Sequence, residues 1–170
     1  MKFLKVISVI GYSGSGKTYL ILNAIKLLQK RLGLNSSVIK NIHEHRIDSM
    51  GKDSYTFTSV GAQYSIVRNK FYENVIFINK DISIQTMIKW LQSGPLETDV
   101  FFLEGFRGLN FPTILCVEDS EGIKQQLTKN IKMISGMICS KKYEILDDLR
   151  IPIIDIVKEF TDFIKIFKIG

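Results

Sequence analysis

The chain has 170 residues, enough for one domain with a substantial core and too few for two comfortable ones. Hydrophobic residues make up 45% and charged residues 24%, the balance of an ordinary globular protein rather than a disordered one. The net charge of +6 favours anionic partners such as nucleotides, but no run of five basic residues marks a nucleic-acid patch. No apolar stretch approaches the roughly eighteen residues of a membrane span. The N-terminal MKFLKVISVIG is broken by Lys5 and lacks a small-residue cleavage site, so a signal peptide is not expected. Cys116 and Cys139 each sit in an apolar run without metal-ligand spacing, which reads as buried thiols in a reducing cytoplasm.

Apolar periodicity predicts the elements in chain order. A strand over Leu4–Ile10 runs into the glycine-rich GYSGSGKT, and a helix follows in which Leu20, Ala24, Leu27 and Leu28 keep a 3.6-residue spacing. Gly33 is placed to cap that helix. A strand over Ser37–Ile42 leads into the polar stretch HEHRIDSMGKDS, residues 43–54. Strands over Ser65–Arg68 and Val75–Ile78 precede a helical pattern of Ile84, Met87, Ile88 and Leu91, which Ser93-Gly94-Pro95 stops. Three more strands are expected over Asp99–Glu104, Thr113–Val117 and Lys132–Cys139. From Pro152 onward, Ile156, Val157, Phe160, Phe163, Ile164 and Phe167 share one helical face. The opposite face is mixed in charge, so a closing helix packed on the sheet is expected rather than a membrane-surface helix. Continuous runs such as VISVI and VFFL suit strands buried on both faces, the habit of parallel sheets. These elements predict a single α/β domain over 1–170: a three-layer, P-loop NTPase-like fold with a mostly parallel central sheet flanked by helices.

Gly11-Tyr12-Ser13-Gly14-Ser15-Gly16-Lys17-Thr18 fits G-x-x-x-x-G-K-[ST] without a mismatch, between a buried strand and an amphipathic helix. Glycines permit dihedrals that gather successive N–H groups around one anion, and the new helix adds its N-terminal dipole. Ser13, Gly14, Ser15 and Gly16 are therefore expected to cradle phosphate, with Lys17 reaching the β- and γ-phosphates and the Thr18 hydroxyl ligating Mg²⁺. A second metal-side acid is expected at Glu104, where DVFFLEG ends a buried strand. Ligands of open α/β sheets bind beyond the carboxyl ends of the strands, which favours Glu104 over Asp99 at the strand's start. The 43–54 stretch follows the second strand, so its polar groups are expected at the same edge. His43 and His45 lack a third soft ligand for zinc. Asp48 and Asp53 read as acids that orient water, magnesium or substrate, or as helix N-caps.

Taken together, GYSGSGKT, VIKNIH, IDSMGKDS with Gly61-Ala62, and DVFFLEGFRG resemble the molybdopterin-guanine dinucleotide biosynthesis protein B family. The resemblance covers roughly the first two-thirds of the chain; from about Thr113 only the strand–helix rhythm continues. It implies a small homodimeric, cytoplasmic protein that binds GTP with Mg²⁺ and hydrolyses it weakly at most. Such a protein assists the molybdenum cofactor guanylyltransferase, which attaches GMP to molybdopterin, and molybdopterin or its guanine dinucleotide is a further ligand to expect. The family's loop roles carry over to Gly14, Ser15, Gly16, Lys17 and Thr18, and its acid roles to Glu104 and Asp48. His43, Lys52 and Asp53 become candidate substrate or anion contacts. Where many members carry an arginine after G-K-D-S, this chain has Thr56, and its histidines are separated by Glu44. Arg107 or Arg68 is the candidate replacement for that positive charge.

Two other readings fit a P-loop. A small-molecule kinase would use His43, Asp48 or Asp53 to position an acceptor hydroxyl, but no arginine-rich lid is visible between Gly122 and Asp148. A regulatory GTPase would carry N-K-x-D, which the stretch Met137-Ile138-Cys139-Ser140-Lys141-Lys142 lacks. P-loop hydrolysis needs a water-positioning group and commonly an arginine at the γ-phosphate. Neither is evident, so slow turnover is expected.

Overall fold

The structure is a computed structural model that describes residues 4–140 and 149–170. Residues 141–148, which include Lys141 and Lys142 of the stretch that lacks N-K-x-D, lie outside the described residues. In chain order the elements are β1 (Lys5–Ile10), α1 (Lys17–Leu32), β2 (Ser36–Lys40), α2 (Asp53–Ser59), β3 (Ser65–Arg68), β4 (Asn74–Phe77) and α3 (Ile84–Gln92). There follow β5 (Val100–Glu104), β6 (Thr113–Cys116), α4 (Ser120–Gln126), β7 (Ile131–Ser135), a 3₁₀ turn (Met137–Ser140) and α5 (Phe160–Phe167). No helix among the described residues is long and apolar enough to cross a membrane. The chain divides into two compact units, Met1–Asn41 with Gly94–Gly170, and Ile42–Ser93.

The first unit is built on a five-stranded sheet in the order β2-β5-β1-β6-β7, parallel throughout. All of β5 and β6 is buried, as their unbroken apolar runs require. Side chains alternate between two faces, and each face has its own core. Ile7, Val9, Phe102, Ile114 and Cys116 pack with Leu20, Ala24 and Leu28 of α1 and Phe163 and Phe167 of α5. Ile10, Leu115 and Val117 pack on the other side with Ile123 of α4 and Ile138. The predicted three layers are thus present, and the tail does close on the sheet. Gly33 caps α1 as expected, its N–H donating to Gln29 O.

Most expected strands agree with the structure to within two residues at each end, but two elements fall short by several residues. The strand anticipated through Cys139 stops at Ser135, because Gly136 takes a positive φ of 96° and turns the chain into 3₁₀ geometry. The tail helix starts only at Phe160, so Ile156 and Val157 precede it. Asp155 sets this limit: its Oδ1 accepts from Val157 N at 3.0 Å while Glu159 Oε2 accepts from Asp155 N at 3.0 Å, a side-chain turn that competes with helix. Ile156 still enters the core, whereas Val157 is exposed.

The second unit contains the antiparallel pair β3–β4, in which Ile66 faces Ile76 and Val67 faces Val75. Asn69 closes the hairpin, its Oδ1 accepting from Phe71 N and Glu73 N at 2.8 and 3.1 Å. Ser83 caps α3 by accepting from Thr86 N at 3.1 Å.

Candidate functional site

The sheet register brings the phosphate loop and the predicted acid together. Lys5–Val9 of β1 runs beside Val100–Glu104 of β5, so Glu104 lies level with Val9, two residues before the loop opens at Gly11. Gly105 N–H fixes this alignment by donating to Val9 O at 3.0 Å. Asp99 begins that run at the far edge, where its Oδ2 accepts from Asn35 N at 2.8 Å. Sequence order alone separates these two acids correctly.

Glu104 is only 6% exposed, which removes the plain alternative of a solvated acid at a strand end. Its Oε1 lies 3.1 Å from Lys40 Nζ and 3.4 Å from the Thr18 hydroxyl. The second distance exceeds a good O–H···O bond, so Thr18 is near the carboxylate without being committed to it. Both are hard oxygen donors of the type that suits Mg²⁺. Lys40 was not anticipated. It ends β2, and the parallel pairing of β2 with β5 sets it directly beside Glu104.

Within the loop, the Lys17 ammonium donates to Gly11 O at 3.0 Å and Tyr12 O at 2.7 Å. The side chain therefore curls back along the loop, with its charge at the mouth of α1. Gly16 is the N-cap of α1 and brings no side-chain cap, which leaves the first-turn N–H groups for a ligand. Ser15 Oγ is buried and has no hydrogen-bond partner in the structure. The loop is also wedged from below: a Cβ on Gly11 would come within 2.2 Å of Cys116 O. Cys116 itself is sealed beneath the loop, and burial pushes its thiol up to about 12 despite the opposing Lys17 charge. Burial also raises the half-buried Cys139 thiol. Both remain neutral thiols rather than nucleophiles at physiological pH.

A second support was missed by sequence reasoning. Met137 N donates to Ser15 O at 3.1 Å, and a Cβ on Gly136 would stand 2.2 Å from that same oxygen. The β7 end thus braces the loop through a residue that has to lack a side chain. A glycine directly after a buried apolar strand was the available signal.

Arg107 also joins the loop. Its guanidinium lies over the Tyr12 ring, 5.4 Å from the centroid, and donates to the buried Gln126 Oε1 at 2.6 Å. A cleft of about 230 Å³ lies here, lined by Tyr12, Ser13, Ser15, Asp119 and Gln126 among others. Asp119 caps α4, accepting from Gly122 N at 3.0 Å.

His43, Asp48, Lys52 and Asp53 belong to the second unit. Asp48 Oδ1 accepts from Ser49 N and from Ser54 Oγ, both at 3.0 Å. Asp53 is the first residue of α2, whose N-cap is Lys52, and it is exposed, as are His43 and Lys52. The acid suits the helix N-terminus electrostatically without capping it. Arg68 ends β3, with its guanidinium over the Tyr72 ring at 5.6 Å.

Comparison with known proteins fits this arrangement. Residues 6–140 match the family model described as molybdopterin guanine dinucleotide synthesis protein B. A Haemophilus influenzae molybdopterin-guanine dinucleotide biosynthesis adapter protein is 28% identical over 166 residues, covering 95% of this chain and 88% of that one. A Methanocaldococcus jannaschii protein that provisionally carries the same name is 29% identical over 124 residues, 70% of this chain. Those residues make up 50% of that relative, so the chain spans about half its length. The crystal structure of Bacillus subtilis MobB superposes with a TM-score of 0.69 at 21% identity, covering 96% of this chain and 98% of that one. At that identity the likeness speaks for the fold. On the family match, the chain belongs to the molybdopterin guanine dinucleotide synthesis protein B family of adapter proteins.

Proposed function

We propose that this protein binds GTP with Mg²⁺, hydrolyses it weakly at most, and serves as a homodimeric adapter for the guanylyltransferase that joins GMP to molybdopterin. The observation that carries the reading is the convergence of Lys17, Thr18 and the buried Glu104 at one end of the parallel sheet. Thr18 and Glu104 would hold the magnesium ion, which supplies charge neutralisation for the β- and γ-phosphates. The chain's own contribution is to grip: loop N–H groups and Lys17 fix the triphosphate. The choice of guanine is drawn from the family alone.

Calorimetric titration with GTP and ATP, with and without Mg²⁺, tests the reading. GTP should bind more tightly than ATP, and Mg²⁺ should strengthen binding. In Glu104→Gln the Mg²⁺ enhancement should fall about tenfold, the scale of one lost charge-assisted contact. An unaltered Mg²⁺ titration would reassign the metal role.

The weak-turnover part rests on Arg107, the arginine that the structure places against the loop, being engaged by Tyr12 and Gln126. Purified protein should turn over GTP well below one per second, against about ten per second for an ordinary enzyme. Rapid transfer of phosphate to a small acceptor would favour a kinase instead.

The dimer reading draws support from the β3–β4 hairpin, where Ile66 is 65% and Ile76 43% exposed, with Val67 and Val75 likewise open. A two-stranded ribbon with apolar side chains exposed and free edges invites pairing. Sedimentation velocity should find a dimer, and an Ile66→Lys, Ile76→Lys double variant should sediment as a monomer. A wild-type monomer at micromolar concentration would overturn this part.

A further inference from the structure

The edge of the sheet opposite the phosphate loop, where β1 begins at Lys5, carries a groove of about 510 Å³. It belongs wholly to the first unit, walled by the start of β1, the segment entering β6, Lys132 of β7 and the end of α5. Its floor is apolar: Val6, Phe111 and Ile166 are half-buried and Pro112 is exposed. Pro112 O accepts from Ser8 N at 3.0 Å, so this floor is tied to the sheet itself. Ligands of open α/β sheets bind at the other end of the strands, which leaves the groove without a part in holding nucleotide.

The charged residues of the lining are all lysines: Lys5, Lys132 and Lys168. Among the described residues, no carboxylate pairs with any of them. Two of the three occupy positions that local structure would give to another residue. The register of β6 against β7 steps from Thr113–Ile131 to Ile114–Met133, so Lys132 is the extra residue of a bulge. Bulges bend a strand and re-aim a side chain, and the residue inserted here is an exposed lysine in an otherwise buried strand. Lys168 caps α5 with a φ of 51°, a left-handed conformation that suits glycine. The turn itself is required, because it lets Ile169 N donate to Ile164 O and returns Ile169 to the core. The lysine is not required: glycine would relieve the backbone, and Lys165 already supplies a cation to the last turn. Strained residues of this kind gather at functional sites.

We propose that this groove docks a segment of a partner protein that combines acidic residues with a bulky apolar side chain. The carboxylates meet the three ammonium groups, and the apolar side chain covers Val6, Phe111 and Ile166. Complementary charge at the rim selects the segment, and the apolar floor anchors it. A nucleic acid would use the lysines and leave that floor bare. The inference goes beyond the nucleotide reading and does not rest on it.

The full-length protein is titrated into a fluorescein-labelled hexapeptide, EDLFED, and anisotropy is followed. Saturable binding is expected, weaker at about 500 mM than at about 50 mM salt because exposed charges are screened. The analogue EDSGED keeps the charges and lacks the anchor, and should bind about tenfold more weakly or worse. Lys132→Glu should weaken EDLFED about fivefold, the scale of a lost exposed ion pair with added repulsion. Lys168→Gly should weaken it about threefold while raising the melting temperature by about 2 °C, opposite movements that a merely structural lysine would not give. GTP titrations of both variants should match wild type, so failure here is distinct from failure of the triphosphate reading. Phosphatidylserine vesicles and a single-stranded oligonucleotide serve as competing anions. No saturable peptide binding, equal affinity for the two peptides, wild-type peptide affinity in both variants, or tighter binding of either competing anion would overturn the proposal.

Discussion

Lys17→Ala should abolish triphosphate binding while leaving the fold intact. The ammonium makes two hydrogen bonds, to Gly11 O and Tyr12 O, and both acceptors belong to the loop it would serve. It is not part of the apolar core, which lies deeper, at Ile7, Val9 and Leu20. Its removal therefore leaves no buried charge without a partner. Against a triphosphate the loss is larger, because each charge-assisted hydrogen bond to phosphate contributes about 1.5–3 kcal/mol. Two such contacts correspond to a loss of about a hundredfold or more in affinity. Calorimetry should show no measurable GTP heat at concentrations that saturate the wild type, with a melting temperature changed by no more than about 2 °C. Unchanged affinity would remove the triphosphate reading altogether.

Gly136→Ala should be strongly damaging to the first unit. The added Cβ would stand 2.2 Å from Ser15 O and 3.1 Å from both Cys116 Cβ and Val117 N, on a backbone with φ of 96°. Those obstacles are chiefly backbone atoms and cannot rotate away. Either β7 retreats and loses the Met137 N–Ser15 O bond, or the phosphate loop shifts. Overpacking of this kind costs about 1–3 kcal/mol, and the left-handed backbone adds about 1–2 kcal/mol for a non-glycine residue. Urea unfolding should register a loss of about 2–5 kcal/mol, and GTP affinity should fall with it. A variant within about 0.5 kcal/mol of wild type would show that the brace is slack.

Much of this was legible in the sequence because it depends on local signals. The strand before Gly11, the helix after Thr18 and the acid ending VFFLE are each written within a few consecutive residues. Parallel pairing then supplies the rest of the geometry, since every strand delivers its last residue to the same edge. What could not be read depends on spatial neighbours. Lys40 meets Glu104 only because β5 inserts between β2 and β1, an order that chain sequence does not announce. Gly136 braces Ser15 from a strand more than a hundred residues away. The tail helix was overextended because apolar spacing at Ile156 and Val157 outweighed a competing side-chain turn at Asp155.

The contact between Lys40 and Glu104 has a consequence for the order in which ligands load. The carboxylate already owns a counter-ion, held at 3.1 Å on a lysine whose side chain is half exposed. A bare divalent ion arriving alone would meet a neutralised acid and would have to evict that lysine unaided. An ion escorted by a triphosphate brings several negative charges, and these give the displaced ammonium a new place to go. Under the proposed reading, the protein is thus tuned to ignore free magnesium and to accept it only in the company of nucleotide.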